Sequence, residues 1–402
     1  MKKLLAIVLV ALIAMSAFAC AVPAESPSAT EAPAPAATEA PATEAPASTD
    51  SVKIGAISPN TGDLAAYGEA VSNGIKLAVE EINAKGGVLG GRQLEVIAYM
   101  DDKGDSTEGA NAYAKLVSDG VSAIIGSVTS GVTAGLATLA DKDKMLLITP
   151  TATNDSITVD KSTVFRACYK DSYQGEVCAK VAKDLGLTKV AVLYASGDPY
   201  SSGLKDAFMS AVEANGLTVV ATESSSGVHD TDYTSQLTNI IASGAEMIFA
   251  PYYYDTIGPY IVPQARQLGY TGAFSGADGW DGTIGTMQDD KSLYNNCYFT
   301  NHYAQDNPSE KVQSFVKDYS AKFDPKTLNA LAALAYDATY MLAASIDKAG
   351  TDVTADIVTA MTGMSFDGVT GSFTLDSGNN PAKACSIIEF KDGEAVFYKE
   401  IG

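Results

Sequence analysis

From Ser51 onward, short apolar runs alternate with amphipathic stretches of helical spacing, and this alternation constrains the fold more than any other feature. The first apolar run, VKIGAIS, precedes a predicted helix at 68–85 whose apolar residues share one face: Val71, Ile75, Val79 and Ile82. Further apolar runs follow at similar intervals, with helices predicted near 106–119 and from 131: LEVIAYM, VSAIIG, MLLITP and TVFRACY. Strands that alternate with helices in this way predict a doubly wound, parallel α/β sheet.

The same pattern restarts at KVAVLYA, which begins at Lys189, and it predicts a second sheet. The further strands of this sheet are LTVVATE, AEMIFAP and GAFSG, and its helices are predicted near 201–215, 231–243 and 257–268. After about residue 299 the alternation loosens. Helices are predicted there near 308–322, 328–348 and 353–362, with closing strands in GSFTLD and CSIIEFKDG.

Because these late elements must complete lobes that have already begun, we predict that the chain crosses between two lobes several times. Lobe 1 would comprise residues 51–170 and 300–380, and lobe 2 would comprise residues 171–299 and 381–402. Lobes joined by such a multi-strand hinge usually close on a ligand.

The N-terminal residues differ in character from the rest of the chain. Residues 1–19 combine a basic start, an apolar run and small residues, which predicts an export signal; the run is shorter than the ~20 apolar residues that span a bilayer. Cleavage before Cys20 would follow either lipoprotein processing, with a lipid on that cysteine, or ordinary signal peptidase. Residues 20–50 repeat Ala, Pro, Thr and Glu and predict a disordered spacer. We expect a lipid-anchored protein on the outer face of the cell membrane, periplasmic or cell-surface.

Charge and cysteine usage exclude several kinds of partner. The formal net charge of −21 repels polyanions, so nucleic acid is not an expected partner. Only two histidines are present and no CxxC pair occurs, so we predict no metal site and no cofactor. Four cysteines follow Cys20 and could form disulfides or stay as buried thiols, which the sequence leaves open: Cys168, Cys178, Cys297 and Cys385.

Hydroxyl-rich turns follow two successive predicted strands. Ser130 comes shortly after AIIG, and Thr151 and Thr153 come directly after LLITP. In open α/β sheets ligands collect beyond the carboxyl ends of strands, where helix N-termini direct N–H groups outward. These donors could therefore seat a carboxylate, whereas the alternative for Ser130 is that it only caps the helix that follows.

An acid and several tyrosines follow other predicted strands. Asp278 comes directly after GAFSG, where it could bind an ammonium group or could be only a turn residue or helix cap. Tyr67, Tyr200 and the triplet 252–254 each follow a different strand. Aromatic residues at three strand ends are typical of a wall around an organic ligand.

Several of these segments occur together in one known family. IGAISPNTGDLAAYG, AIIGSVTS, ITPTATN, GDPYSSG, QARQLGY and GADGW occur in the order, and with nearly the spacing, of the branched-chain amino acid binding proteins of ABC transporters. The sequence resembles these type I periplasmic-binding-protein-like receptors from about Val52 to the C-terminus. The resemblance implies two lobes, each a doubly wound parallel sheet, joined by a multi-strand hinge.

The resemblance also implies roles for individual residues. Ser130 and Thr153 would hold the ligand α-carboxylate, and the Thr151 carbonyl, the Thr153 hydroxyl and Asp278 would hold the α-ammonium. Three tyrosines would frame the side chain: Tyr67, Tyr200 and Tyr253. The sequence departs from the family pattern in two ways: Asp278 stands where Glu is familiar, and Gly104 and Thr129 stand where some relatives have a disulfide.

These features favour a monomeric solute receptor over an enzyme. We expect it to close on a small amino acid, leucine, isoleucine or valine, and to deliver it to the permease subunits of an ABC transporter, with no catalytic residue. A Rossmann-type enzyme is the alternative, but no G-x-G-x-x-G follows the first strand and no P-loop or nucleophile elbow occurs. A different ligand, such as an amide, urea, an aromatic acid or a peptide fragment, or coupling to a sensor, stays open.

Overall fold

The computed structural model describes residues 50–402, which belong to one compact unit. The predicted export signal at 1–19, the lipidation at Cys20 and all but the last residue of the predicted spacer lie outside the described residues. No helix within 50–402 has the length and apolar character that a membrane span requires.

The described residues form fourteen strands and eleven α-helices. The strands are β1 (Val52–Ser58), β2 (Leu94–Asp101), β3 (Ala123–Ile125), β4 (Leu146–Thr149), β5 (Val164–Arg166), β6 (Lys189–Ala195), β7 (Thr218–Ser225), β8 (Met247–Phe249), β9 (Ala273–Gly276), β10 (Cys297–Asn301), β11 (Ser365–Gly368), β12 (Gly371–Thr374), β13 (Cys385–Lys391) and β14 (Glu394–Ile401). The helices are α1 (Ala65–Ala84), α2 (Ser106–Ser118), α3 (Ser130–Asp143), α4 (Asp171–Asp184), α5 (Pro199–Val212), α6 (Thr234–Ala242), α7 (Tyr254–Thr256), α8 (Val262–Gln267), α9 (Glu310–Lys322), α10 (Ala330–Ala349) and α11 (Thr354–Met361).

The first lobe is built on a five-stranded sheet in the order β2-β1-β3-β4-β5, with every pairing parallel. Side chains that alternate along a strand enter different cores because they point to opposite faces. Ile54 of β1 packs in the core that includes α1 and α10, whereas Ile57 packs in the core that includes α2 and α3. Helices therefore cover both faces of the sheet, which confirms the doubly wound α/β prediction.

The second lobe is built on a seven-stranded sheet in the order β14-β13-β10-β9-β8-β6-β7. The pairings from β10 through β7 are parallel, and β13 and β14 extend the sheet as antiparallel strands. One face packs on α4 and α5, as Phe208 on Phe249 illustrates. The opposite face packs on α6 and α8, with Leu237 and Ile261 in its core.

Three segments connect the elements of the two lobes. The first lies between β5 and α4, the second between β10 and α9, and the third between β12 and β13. Strand β10 belongs to the second sheet, whereas helix α10, which follows it in the chain, packs along α1 of the first lobe. The chain therefore returns to the first lobe between these two elements.

The structure differs from the sequence predictions in four elements. Helix α4 and the strands β11 and β14 were not predicted, and the helix expected at 257–268 is interrupted by a π-helical stretch at Ile257–Ile261. Pro263 explains the interruption, because it has no N–H to donate to the carbonyl of Pro259, which accepts instead from Gln288 Nε2 at 3.2 Å. Of the two states left open for the cysteines, the structure has buried free thiols at all four described positions.

Candidate functional site

The carboxyl ends of the parallel strands of both sheets meet at one cavity between the lobes. Ten residues line it: Tyr67, Val128, Thr129, Ser130, Thr151, Tyr200, Tyr253, Asp278, Gly279 and Leu331. Its volume is about 20 Å³, which is room for roughly one water, since a water needs ~10–15 Å³. The lobes are therefore closed on each other at this point.

The first-lobe wall of the cavity carries hydroxyl groups and the N-terminus of α3. Ser130 is the first residue of α3, whose initial N–H groups have no partner within the helix. The Ser130 hydroxyl accepts from the backbone N–H of Asn154 at 3.2 Å, and the cap residue Thr129 makes no side-chain cap. Ser130 therefore does not occupy the N-cap position of its own helix.

Thr151 and Thr153 follow β4 and are both buried. The Thr151 hydroxyl donates to the carbonyl of Val128 at 2.9 Å, which ties this turn to the one that leads into α3. The Thr153 hydroxyl is buried without a hydrogen bond to any described residue. Thr153 does not line the cavity itself.

The second-lobe wall carries the acid. Asp278 follows β9, begins a short 3₁₀ turn and is only 4% exposed. Its Oδ1 accepts from Tyr200 Oη at 3.0 Å and from Gln174 Nε2 at 3.1 Å, and its Oδ2 lies 3.1 Å from His302 Nε2. The carboxylate thus faces the cavity and does not cap its own turn, which argues against a simple turn role.

Gly279 permits the close approach of Tyr200. Its N–H donates to Tyr200 Oη at 2.7 Å, and a Cβ at position 279 would lie 2.7 Å from that oxygen. The Tyr200 ring stacks on Tyr253 with centroids 4.9 Å apart. Burial raises the pKa of both phenols well above the usual value, so both remain neutral donors.

The structure places the three consecutive tyrosines in different surroundings. Only Tyr253 lines the cavity, with a buried hydroxyl that bonds to no described group. Tyr252 points into the second-lobe core, where its hydroxyl bonds with Ser225 at 2.7 Å. Tyr254 donates to the carbonyl of Asp63 in the first lobe at 2.8 Å.

Several hydrogen bonds besides that of Tyr254 connect the lobes around the cavity. The Tyr67 hydroxyl of α1 donates to the carbonyl of Gly279, and Asn154 Nδ2 donates to the carbonyl of Pro199 at 2.8 Å. On the α10 side, Asp281 Oδ2 accepts from the backbone N–H of Ala330 at 2.7 Å. These bonds hold the closed arrangement.

Four residues at or next to the cavity were not predicted from the sequence: Asp171, Gln174, His302 and Leu331. Gln174 links two acids, because its Nε2 donates to Asp278 Oδ1 at 3.1 Å and lies 3.4 Å from Asp171 Oδ1. Burial raises the pKa of Asp171 well above its usual value. Only Leu331 had a sequence signal, an asparagine cap before an apolar helix.

A larger open groove of about 670 Å³ lies elsewhere on the first lobe, between α1, α9 and α10. Some of its polar groups already pair with one another, since Glu81 Oε2 accepts from both Tyr336 Oη and Tyr340 Oη at 2.8 Å. It lacks the opposed donor and acid walls of the cavity between the lobes.

Two doubly wound lobes that close on a cavity with donors on one wall and an acid on the other define a solute-binding protein of the two-lobed class. The chain belongs to the Periplasmic binding protein family, which it matches over residues 51–394. It is 31% identical over 363 residues to "Leu/Ile/Val-binding protein homolog 3" of Brucella melitensis, covering 88% of this chain and 95% of that protein.

Solved structures have the same fold. The leucine binding protein LivK of Thermotoga maritima is 32% identical and superposes with a TM-score of 0.80, over 87% of this chain and 98% of that one. The branched-chain amino acid transporter substrate binding protein LivJ of Streptococcus pneumoniae, in complex with isoleucine, is also 32% identical, with a TM-score of 0.78 over 86% and 97% of the two chains.

Proposed function

We propose that this protein binds leucine, isoleucine or valine outside the cytoplasm and delivers the amino acid to the permease subunits of an ABC transporter. The observation that supports the proposal is a closed cavity lined both by Ser130 of the first lobe and by Asp278 of the second lobe. A zwitterion matches such a cavity because its two charges need opposite partners. The relatives named for leucine, isoleucine and valine support the same ligand class.

Each end of the ligand would have its own partners. The Ser130 and Thr153 hydroxyls and the first N–H groups of α3 would hold the α-carboxylate, with about 1.5–3 kcal/mol for each charge-assisted hydrogen bond. Asp278, the Thr151 carbonyl and the Thr153 hydroxyl would hold the α-ammonium. Tyr67, Tyr200, Tyr253 and Leu331 would surround the side chain.

Opening and closing of the lobes would be the functional motion. A cavity of about 20 Å³ cannot hold an amino acid, so the lobes would separate for the ligand to enter and would then close around it less tightly than they do in this structure. The ligand would then favour closure because its two charged ends bind to different lobes. No covalent step is needed, so we propose that the protein is not an enzyme and uses no cofactor.

The proposal includes a location and an oligomeric state. Export directed by residues 1–19, lipidation of Cys20 and a spacer through residue 50 would place a monomer on the outer face of the cell membrane. The lobe bounds that we propose are 51–170 with 300–380 and 171–299 with 381–402.

A calorimetric screen of residues 48–402 against all common amino acids tests the proposal. These residues contain every core cluster and all the hydrogen bonds described above, so they can be produced as one unit. We expect micromolar or tighter binding of leucine, isoleucine or valine. Absence of heat and of a melting shift with every amino acid would refute the proposed function.

An aromatic acid is the second candidate ligand, because three tyrosines and one leucine line the cavity. Benzoate and 4-hydroxybenzoate in the same screen distinguish the two classes. An aromatic acid has no ammonium, so its binding would not depend on Asp278. If it binds more tightly than the branched-chain amino acids, the amino acid assignment fails and the fold assignment stands.

A further inference from the structure

We propose that His302 is a positioning residue for ligand binding, which aims the Asp278 carboxylate at the ligand ammonium by donating its Nε2–H to Asp278 Oδ2. This inference rests on the proposed role of Asp278 and adds a residue whose side chain does not line the cavity.

The three donors to Asp278 are divided unequally between its oxygens. Tyr200 and Gln174 both donate to Oδ1, whereas within residues 50–402 the hydrogen bond to Oδ2 comes from His302 alone. A carboxylate held at one oxygen can turn about its Cβ–Cγ bond, and a second point of attachment fixes its plane. His302 supplies that second point.

The position of the imidazole is itself fixed. Its side chain is completely buried and stacks on Tyr169, with ring centroids 3.9 Å apart and planes inclined by 28°. Tyr169 lies on the first segment that crosses between the lobes, and His302 begins the second. The ring therefore cannot follow Asp278 if the carboxylate turns.

The hydrogen bonds define the tautomer. A carboxylate only accepts, so the nitrogen 3.1 Å from Asp278 Oδ2 must carry a proton. The other ring nitrogen, Nδ1, is buried and has no partner among the described residues, which disfavours a proton there. His302 thus acts as a neutral Nε2–H donor.

Neutrality matters because a cationic partner would cancel the charge that the ligand ammonium needs. Burial lowers the pKa of His302 to about 4 although Asp278 raises it, so the imidazole is uncharged at neutral pH. The ionisable groups that face it are Asp278, Tyr169 on the first crossing and Lys383 on the third, and Lys383 further disfavours its protonation. His302 therefore adds no positive charge beside Asp278.

Two substitutions test the donor. His302→Gln keeps an N–H donor near the position of Nε2, and His302→Leu removes it at similar size. We expect His302→Leu to raise the dissociation constant of leucine about tenfold or more, as expected for loss of a hydrogen bond to a charged group, and His302→Gln to restore most of the affinity. His229→Leu is the matched control, because His229 also bonds an aspartate, but that residue, Asp255, does not line the cavity as Asp278 does.

A double-mutant cycle separates positioning from general packing. In the Asp278→Asn background we expect His302→Leu to cause no further loss of affinity, because the residue acts through Asp278. An equal loss in both backgrounds would show that His302 only supports the core. Equal affinities of wild type, His302→Leu and His302→Gln for leucine would also overturn the proposal.

A ligand-free measurement keeps the inference testable if the leucine variant does not fold or if the wild type binds no amino acid. The chain has two histidines, so nitrogen NMR of the wild type and of His229→Gln assigns both rings. We expect His302 to remain an Nε2–H tautomer without titrating between pH 8 and about 5. An Nδ1–H tautomer, or titration near pH 6.5, would refute the hydrogen bond itself.

Discussion

Replacing Asp278 with asparagine is the sharpest perturbation of the proposed site. The side chain keeps its shape but loses its charge, and its NH₂ group must face one of the donors that now surround the carboxylate: Tyr200, Gln174 and His302. Two donors that face each other cannot form a hydrogen bond. The variant thus weakens both the attraction for an ammonium and the preorganisation of the wall.

The magnitude follows from leaving a buried ammonium unpaired. Removing one partner of a buried charge pair costs about 3–5 kcal/mol. This loss corresponds to a roughly 100- to 4,000-fold increase in the dissociation constant for leucine. Isothermal titration calorimetry measures the loss, and circular dichroism verifies that the variant is folded. Asp278→Ala should weaken binding at least as much.

The matched control is Asp337→Asn. Asp337 is also a buried carboxylate that accepts several hydrogen bonds, from the Val369 and Thr370 backbone, but it lies in the first lobe and does not line the cavity. We expect this variant to lose stability and to keep its affinity for leucine within about twofold. If the Asp278→Asn substitution raises the dissociation constant for leucine by less than tenfold, Asp278 does not hold the ammonium.

Three further predictions concern single side chains. Ser130→Ala should weaken leucine binding about tenfold by calorimetry, because one hydrogen bond to the carboxylate is lost; unchanged affinity would contradict its assignment. Tyr67→Phe removes the donor to the Gly279 carbonyl, so the ligand-free variant should have a larger radius of gyration by small-angle X-ray scattering than the wild type. Identical scattering profiles would show that this hydrogen bond does not hold the lobes closed. The hydrogen bond to Asp255 raises the pKa of His229 in the folded state. The pair therefore stabilises the folded state at pH values below the ordinary histidine pKa. This stabilisation is lost as the pH rises through the pKa that His229 has in the folded state. In urea titrations, His229→Gln should therefore lower the free energy of unfolding at pH 6 and much less at pH 8, and a pH-independent difference would contradict the pairing.

The sequence predicts the fold well because the hydrophobic periodicity survives nearly everywhere. Helix α1 runs over Ala65–Ala84 where 68–85 was predicted, and Val71, Ile75 and Ile82 are buried as expected. Helix α4 was missed for a physical reason: Asp171 and Gln174 are polar yet lie on its buried side, which weakens the amphipathic pattern. The same residues face Asp278 and Thr153, so the irregularity coincides with the proposed site.

The cavity residues were predictable to the extent that they follow strand ends. Ser130, Thr151, Tyr200 and Asp278 could be found because each comes shortly after the carboxyl end of a parallel strand. Which tyrosine of the 252–254 triplet lines the cavity depends on the path of the irregular chain between β8 and α7. In the structure Tyr253 lines the cavity.

The partners of Asp278 were not predictable in the same way. Gln174 lies 104 residues from Asp278 in the sequence, within a helix, and His302 lies on the second crossing between the lobes. Only the packing of three separate segments brings these side chains together. A local sequence pattern does not carry that information.

A crystal structure of residues 48–402 grown with leucine tests the central claim most directly. The account predicts closed lobes, with the ligand ammonium within hydrogen-bond distance of Asp278 and the ligand carboxylate on the Ser130 hydroxyl and the N-terminus of α3. Leucine bound in the opposite orientation, or bound outside the cavity between the lobes, would contradict it.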